Sequence, residues 1–179
     1  MNKHLKLVRE FHEKFAVVQP DYPETAHLSD MDILMRQSLL LKCGSETFEA
    51  IAVGDQSKIL AGLVDLAYNA LAAIACHGGD VLSVSVSWRQ DGSVLSVARG
   101  LSDKINNCTS GETLHYSALY GLCYQLVGTY VNADFDKAFL IVHTNLVAQA
   151  GNGVSQNSEQ RIERATFAEA PDLSAAFYE

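Results

Sequence analysis

Three carboxylates form the sharpest chemical pattern in the chain. Glu46 and Glu49 lie three apart, on one face of any helix that carries them. Asp65 interrupts an apolar run, KILAGLVDLAYNALAAIAC, and the Gly54-Asp55 step between the two segments is a helix stop that folds one back on the other. Glu46 and Asp65 stand at nearly equal distances from that turn, so they meet at similar height on antiparallel neighbours. A carboxylate on an apolar helix is costly unless it is paired or metal-bound. Converging carboxylates are the oxygen ligands that Mg2+ takes, and Mn2+ accepts the same set. Pairing of Asp65 with Lys42, or a buried polar network, would meet the same charge without a metal, and both readings stand at this level.

Further groups could join such a site. His143 and Asn145 in a late amphipathic segment are candidates for reaching a substrate, and Trp88, the single tryptophan, could stack on a base. Asp103, Lys104 and Glu112 are available as replacement charges. Cys43, Cys76, Cys108 and Cys123 are scattered with no CxxC pair and no histidine cluster, so they read as buried free thiols.

The elements that must position these residues are helices. Leu5, Val8, Phe11 or His12, and Phe15 recur at helical spacing from about Asn2 to Ala16. Gln19-Pro20-Asp21-Tyr22-Pro23 forces extended backbone. Ser29 or Asp30 can cap a helix from about Met31 to Val53, and a third helix runs from Asp55 or Ser57 to His77. That third helix is apolar nearly all round, which places it at the centre of a bundle or at a subunit interface. Val84, Val86 and Trp88 alternate with serines, so an extended segment is expected before a helix that starts near Ser93. Ser110-Gly111 ends that helix. Two more follow, from about Glu112 to Val131 and from Asp134 to about Ala148, then a polar loop and a terminal arm expected along the surface. The segment Ser45 to Tyr68 can be laid over Ser102 to Tyr124, with Gly54-Asp55 on Gly111-Glu112, which suggests a duplicated helical hairpin.

Composition bounds the function. The 179 residues suit one domain, 1–179, and the 48% apolar and 19% charged residues exclude intrinsic disorder. A net charge of −8 argues against a large nucleic-acid footprint, which needs clustered Lys and Arg. It leaves room for a nucleotide bridged through Mg2+. The charged start MNKHLKLVREFHEKF has no apolar signal region, and the longest apolar stretch, Ala70 to Cys76, is short of a membrane span. The expectation is a soluble cytoplasmic protein with no membrane contact.

Several segments, in order, resemble the all-α nucleoside triphosphate pyrophosphohydrolase superfamily that includes MazG and phosphoribosyl-ATP pyrophosphohydrolases. VREFHEKFAVVQPDYP (Val8 to Pro23) is similar to the V-x-E-F-H-x-x-F opening, Arg36 precedes the second-helix motif at the usual distance, and Asp65-Leu66-Ala67-Tyr68 resembles D-L-x-Y. ADFDKAFLIVHTNL (Ala133 to Leu146) is similar to a fourth helix ending V-H-x-S-N-M, and Ala170-Pro171-Asp172-Leu173 to a P-P-D-L tail. The match covers most of the chain outside about 80–132, which reads as an inserted helical hairpin. The resemblance implies an antiparallel helical bundle of MazG-like type, a homodimer, and Mg-dependent hydrolysis of a nucleotide to the monophosphate and pyrophosphate. Glu46 and Asp65 would hold metal, Glu49 would serve as auxiliary ligand or base, and His143 and Asn145 would face substrate. The family's E-E-x-x-E falls on Lys42-Cys43-Gly44-Ser45-Glu46, and its E-x-x-D on Gly62-Leu63-Val64-Asp65. A shifted register on Ser45 to Glu49 recovers two acids but breaks the spacing to the turn. Half of the metal carboxylates are thus missing. The alternative is a catalytically degenerate relative that binds a nucleotide or a partner, and a third reading is a purely structural dimer.

Overall fold

The structure, a computed structural model, describes residues 1–15, 17, 28–86, 93–152 and 171–178. The described residues form an all-α fold of six α-helices with no strand: α1 (Lys3–Lys14), α2 (Asp30–Val53), α3 (Gln56–Cys76), α4 (Val94–Asn107), α5 (Thr113–Leu126) and α6 (Phe135–Asn152). Trp88, the proline segment Gln19 to Pro23 and the loop after Asn152 fall outside the described residues.

Local chemistry sets the boundaries. The Ser29 hydroxyl accepts from Asp32 N while the Asp32 carboxylate accepts from Ser29 N, a reciprocal capping box that starts α2. Gly54 ends α2 at φ +74, in the left-handed region that glycine enters without steric cost. Asp55 then caps α3 by accepting from Lys58 N at 3.1 Å. The second hairpin repeats the device: Gly111 stops the chain after α4 at φ +73, and Glu112 occupies the cap position of α5. The two turns are the ones that the internal alignment superposes.

The hairpins α2–α3 and α4–α5 pack as an antiparallel four-helix bundle, α2 beside α4 and α3 beside α5. They lie head to tail. The Gly111 turn abuts Ile33 near the start of α2, at the end opposite Gly54, and Gln37 Nε2 donates to Ile105 O at 3.0 Å. Helices α1 and α6 cover the remaining side of α3. Phe11 meets Tyr68 edge-on at 6.1 Å, and Tyr68 stacks on Phe139 at 5.4 Å. Four helices therefore surround α3, and 14 of its 21 residues are buried. It is long and apolar enough to cross a membrane, but its apolar surface is spent inside the bundle. The flank from which a homodimer is expected is covered by α1, α5 and α6 of the same chain.

The segment before α4 is extended, as expected, and the C-terminal tail is more closely held than expected. Residues 81–86 are extended but unpaired, running along α5 with Leu82 N donating to Ser117 Oγ at 3.0 Å and Val86 packed on Gly121. The described part of the terminal arm, residues 171–178, is anchored at two points. Leu173 and Ala176 are buried, Asp134 N donates to Ala176 O at 2.8 Å, and Tyr178 N donates to Asn132 O at 3.1 Å, so the tail closes the entry to α6.

The close approach of α2 and α3 rests on Gly62, where the family pattern has an acid. A Cβ there would run into Thr47 Oγ1, with Thr47 Cβ at 3.1 Å and Cα at 3.3 Å. Ala improves on Gly inside a helix by about 1 kcal/mol, whereas overpacking costs about 1–3 kcal/mol. Gly62→Ala should therefore lower stability by about 1–2 kcal/mol in urea unfolding, with much of it recovered by adding Thr47→Ala. A stabilised Gly62→Ala protein would show that the helices do not touch there.

Candidate functional site: the Glu46–Asp65 pair

Three contacts fix the register of α2 against α3. Arg36 Nη2 donates to Cys76 Sγ at 2.9 Å, Asn69 Nδ2 approaches Cys43 Sγ at 3.6 Å, and Thr47 meets Gly62. That register brings Glu46 close enough to Asp65 for its charge to act on it, with Cys43 near both. Each carboxylate pushes the Cys43 thiol up, after burial, the largest cause. Asn69, one turn on from Asp65, donates to the Asp65 backbone carbonyl at 2.9 Å.

Among the described residues, no ion pair or hydrogen bond satisfies the Asp65 carboxylate, and none joins it to Lys42. Its carboxyl is pushed up to about 7, first by burial and then by the like charge of Glu46. Asp65 is half-buried, whereas Glu46 is exposed on the flank of α2. Asp65 is thus a carboxyl whose charged form is disfavoured by burial and by the like charge beside it.

The other expected residues are placed differently. Glu49 is exposed and lies on the outward face of α2, away from the side that packs on α3. Asp103 and Glu112 are exposed as well. His143 is half-buried, with Nδ1 3.2 Å from Tyr68 Oη and its ring stacked on the tyrosine; burial holds its imidazole below the ordinary value. Tyr68 is one turn from Asp65, so His143 borders the same stretch of α3. Asn145 does not accompany it, because residues two apart on a helix point to opposite flanks. Among the described residues no three of His, Cys, Asp and Glu stand close enough to hold a metal ion by themselves. Two carboxylates do fit a Mg2+ ion that arrives with phosphates, since Mg2+ keeps several waters and commonly binds through one or two carboxylates plus substrate oxygens.

The sequence reading missed His4, and it named His12 only as an alternative core position. His4 sits against Phe135 and Phe139, with Nδ1 2.8 Å from Tyr120 Oη and Nε2 3.0 Å from Asp136 Oδ1, and it ties α1 to α5 and α6. His12 is buried on the same face, one turn after Val8, and its imidazole is held down to about 4 by burial first and by the charges of Arg36 and Arg9 next. The signal for His4 was its spacing of four from Val8, a position that an apolar pattern assigns to the core. Burial raises the Cys43 and Cys123 thiols as well, and takes Cys108 to about 12, so these three are protonated core groups.

No family model, no curated protein and no solved structure matches this chain.

The pH dependence of folding follows from two opposed groups. Between about pH 4 and 7 folded Asp65 keeps a proton that the unfolded chain has released, so its contribution is present below that window and lost as pH rises through it. Folded His12 refuses a proton that the unfolded chain takes near pH 6.5, so stability is lost as pH falls from about 6.5 to 4. Asp65→Asn removes the first effect and leaves the second. The variant should gain about 1–2 kcal/mol at pH 8, below the ~4 that three pKa units represent because Asp65 keeps some water contact, and little at pH 4. Urea unfolding at both values checks this; a loss of stability at pH 8 would mean that a cation pairs with Asp65.

Proposed function

We propose that this chain is a divergent MazG-like helical protein that binds a nucleoside triphosphate with Mg2+ or Mn2+ at the Glu46–Asp65 pair, as a nucleotide-binding module rather than as an efficient pyrophosphohydrolase. The observation that carries the reading is the facing carboxylate pair, with no hydrogen bond or ion pair to Asp65 among the described residues. Glu46 and Asp65 would hold a divalent cation from the protein side, offsetting the burial and the like charge that raise Asp65. The cation would supply charge neutralisation to the phosphates. The two-metal scheme of the family uses more carboxylates than converge here. Gly62 cannot be restored to an acid without pushing α3 off Thr47. Phosphate neutralisation is thus supported and fast hydrolysis is not.

Hydrolysis remains the second reading, favoured by one property of Asp65. A carboxyl that titrates at about 7 can accept a proton from an attacking water near neutrality. His143, stacked on Tyr68 one turn away, lies at the edge of the same stretch.

A thermal-shift series with nucleoside triphosphates, with and without Mg2+ or Mn2+, tests the proposal. At a ligand concentration of about 100 times Kd, binding adds about 2.7 kcal/mol, or about 5–10 °C for a chain of this size. That shift should need both nucleotide and metal, and should vanish in Asp65→Asn. Absence of a shift with every nucleotide would refute the reading. Pyrophosphate release at about 1 s−1 that is lost in Asp65→Asn would establish the hydrolase instead.

A further inference from the structure

The inner face of α1 carries two buried histidines, and a third meets it from α6. His4 and His12 are 3% and 2% exposed and share that face with Leu5, Val8, Phe11 and Phe15. His4 Nδ1 lies 2.8 Å from Tyr120 Oη on α5, and its Nε2 lies 3.0 Å from Asp136 Oδ1 on α6. Lys3 pairs with the same carboxylate, and Tyr124 of α5 lies beyond Tyr120 with ring centroids 6.5 Å apart. His12 feels the charges of Arg36 from α2 and Arg9 from α1, and its Nδ1 is buried with no hydrogen-bond partner among the described residues. Around Arg36, α3 brings Cys76 and α5 brings Tyr116. On α6, the His143 ring stands 6.4 Å from Phe11, and Glu10 and Lys14 of α1 act on it with opposite signs.

These surroundings suit neutral imidazoles. Asn2 Nδ2 donates to Tyr120 Oη at 3.2 Å, which leaves the phenol proton for His4 Nδ1. A charged His4 carries N–H on both nitrogens and turns one toward a phenol oxygen that Asn2 already occupies. Asp136 favours the charged form, but Lys3 opposes it and burial outweighs the carboxylate. At His12, burial and both guanidiniums act in one direction, against a proton. Burial is also the first cause acting on His143. The central bundle responds to acid in the opposite sense. Asp65 on α3 loses its charge as pH falls, which relieves its burial and its repulsion by Glu46. The 12-residue α1 joins α2 through residues 15–29, and extended chain spans about 3.3 Å per residue, so α1 can leave without moving the α2–α3 hairpin.

We propose that α1 is a pH-sensitive cover: protonation of His12, His4 and His143 releases it from α3, α5 and α6 while the four-helix bundle of α2 to α5 stays folded. All three histidines sit in one interface, so the charges that acid adds fall on the contacts of a single helix. Their folded values lie below the ordinary one near 6.5, so docking is intact above about pH 6.5 and is lost as pH falls toward about 4. Departure of α1 takes Phe11 off Tyr68 and His143 and uncovers the aromatic stack that Tyr68 makes with Phe139. The device needs no metal and does not depend on the nucleotide reading.

The test is amide hydrogen exchange of the full chain at pH 7 and pH 5, read residue by residue and corrected for the intrinsic pH dependence of exchange. Protection of the α1 amides should fall by about twentyfold, the change produced by one imidazole that titrates near 6.5 when α1 is open and near 4 when it is docked. Protection in α3 and α5 should hold. His12→Phe keeps a ring in the core and removes the unpartnered nitrogen, so it should cut the fall in α1 to a few-fold. His4→Gln, which keeps a polar group beside Tyr120, gives an independent reading and should also reduce the fall. An equal loss across α1, α3 and α5, no loss in α1, or an undiminished loss in both variants would overturn the proposal.

Discussion

A helix that is apolar on every side has no stable place on a surface, and α3 is such a helix. Each uncovered flank would leave apolar area in water at about 25 cal/mol per Å2. The rest of the chain is arranged to prevent that. One flank goes to α2 through the Gly54 turn, the opposing flank to α5, and the remaining side to α1 and α6. Even the C-terminal segment contributes, because Leu173 and Ala176 seal the start of α6.

Enclosure of α3 gives unusual weight to the few polar groups along it. Asp65, Asn69 and Cys76 each lie on the side that α2 covers, so the α2–α3 register decides what they meet. Near the Gly54 turn that register sets carboxylate against carboxylate. Toward the far end it sets a guanidinium against a thiol, with a second guanidinium arriving from α1. The hairpin is therefore electrically polar along its length, acidic at one level and basic at another. The Glu46–Asp65 site is a consequence of that enclosure.

Much of this was legible from the residues. Ser29, Gly54, Asp55 and Gly111 mark ends that the backbone obeys, because caps and left-handed stops are decided within a few residues. The approach of Glu46 to Asp65 followed from counting away from a tight turn. What was missed depends on contacts between distant pieces. Nothing local shows that Gly62 marks a close helix contact, that the tail docks, or that Arg9 and Arg36 converge on His12. Of the two places open to α3, the centre of the bundle is the one it takes, because α1, α2, α5 and α6 cover it within the chain. The pairing of His143 with Asn145 had a warning in the sequence: two residues on a helix turn through about 200°.

The central claim is that the Glu46–Asp65 pair is where a divalent cation meets this protein. Paramagnetic broadening by Mn2+, read from the amide resonances in the presence of a nucleoside triphosphate, locates the ion directly. The account predicts that signals of residues 43–49 and 62–69 broaden first, at substoichiometric Mn2+, while those around Asp80 and Asp136 persist. Broadening that begins at the exposed acids of α1 or α6, or that spreads evenly over the surface with no preference for the α2–α3 level, would contradict it.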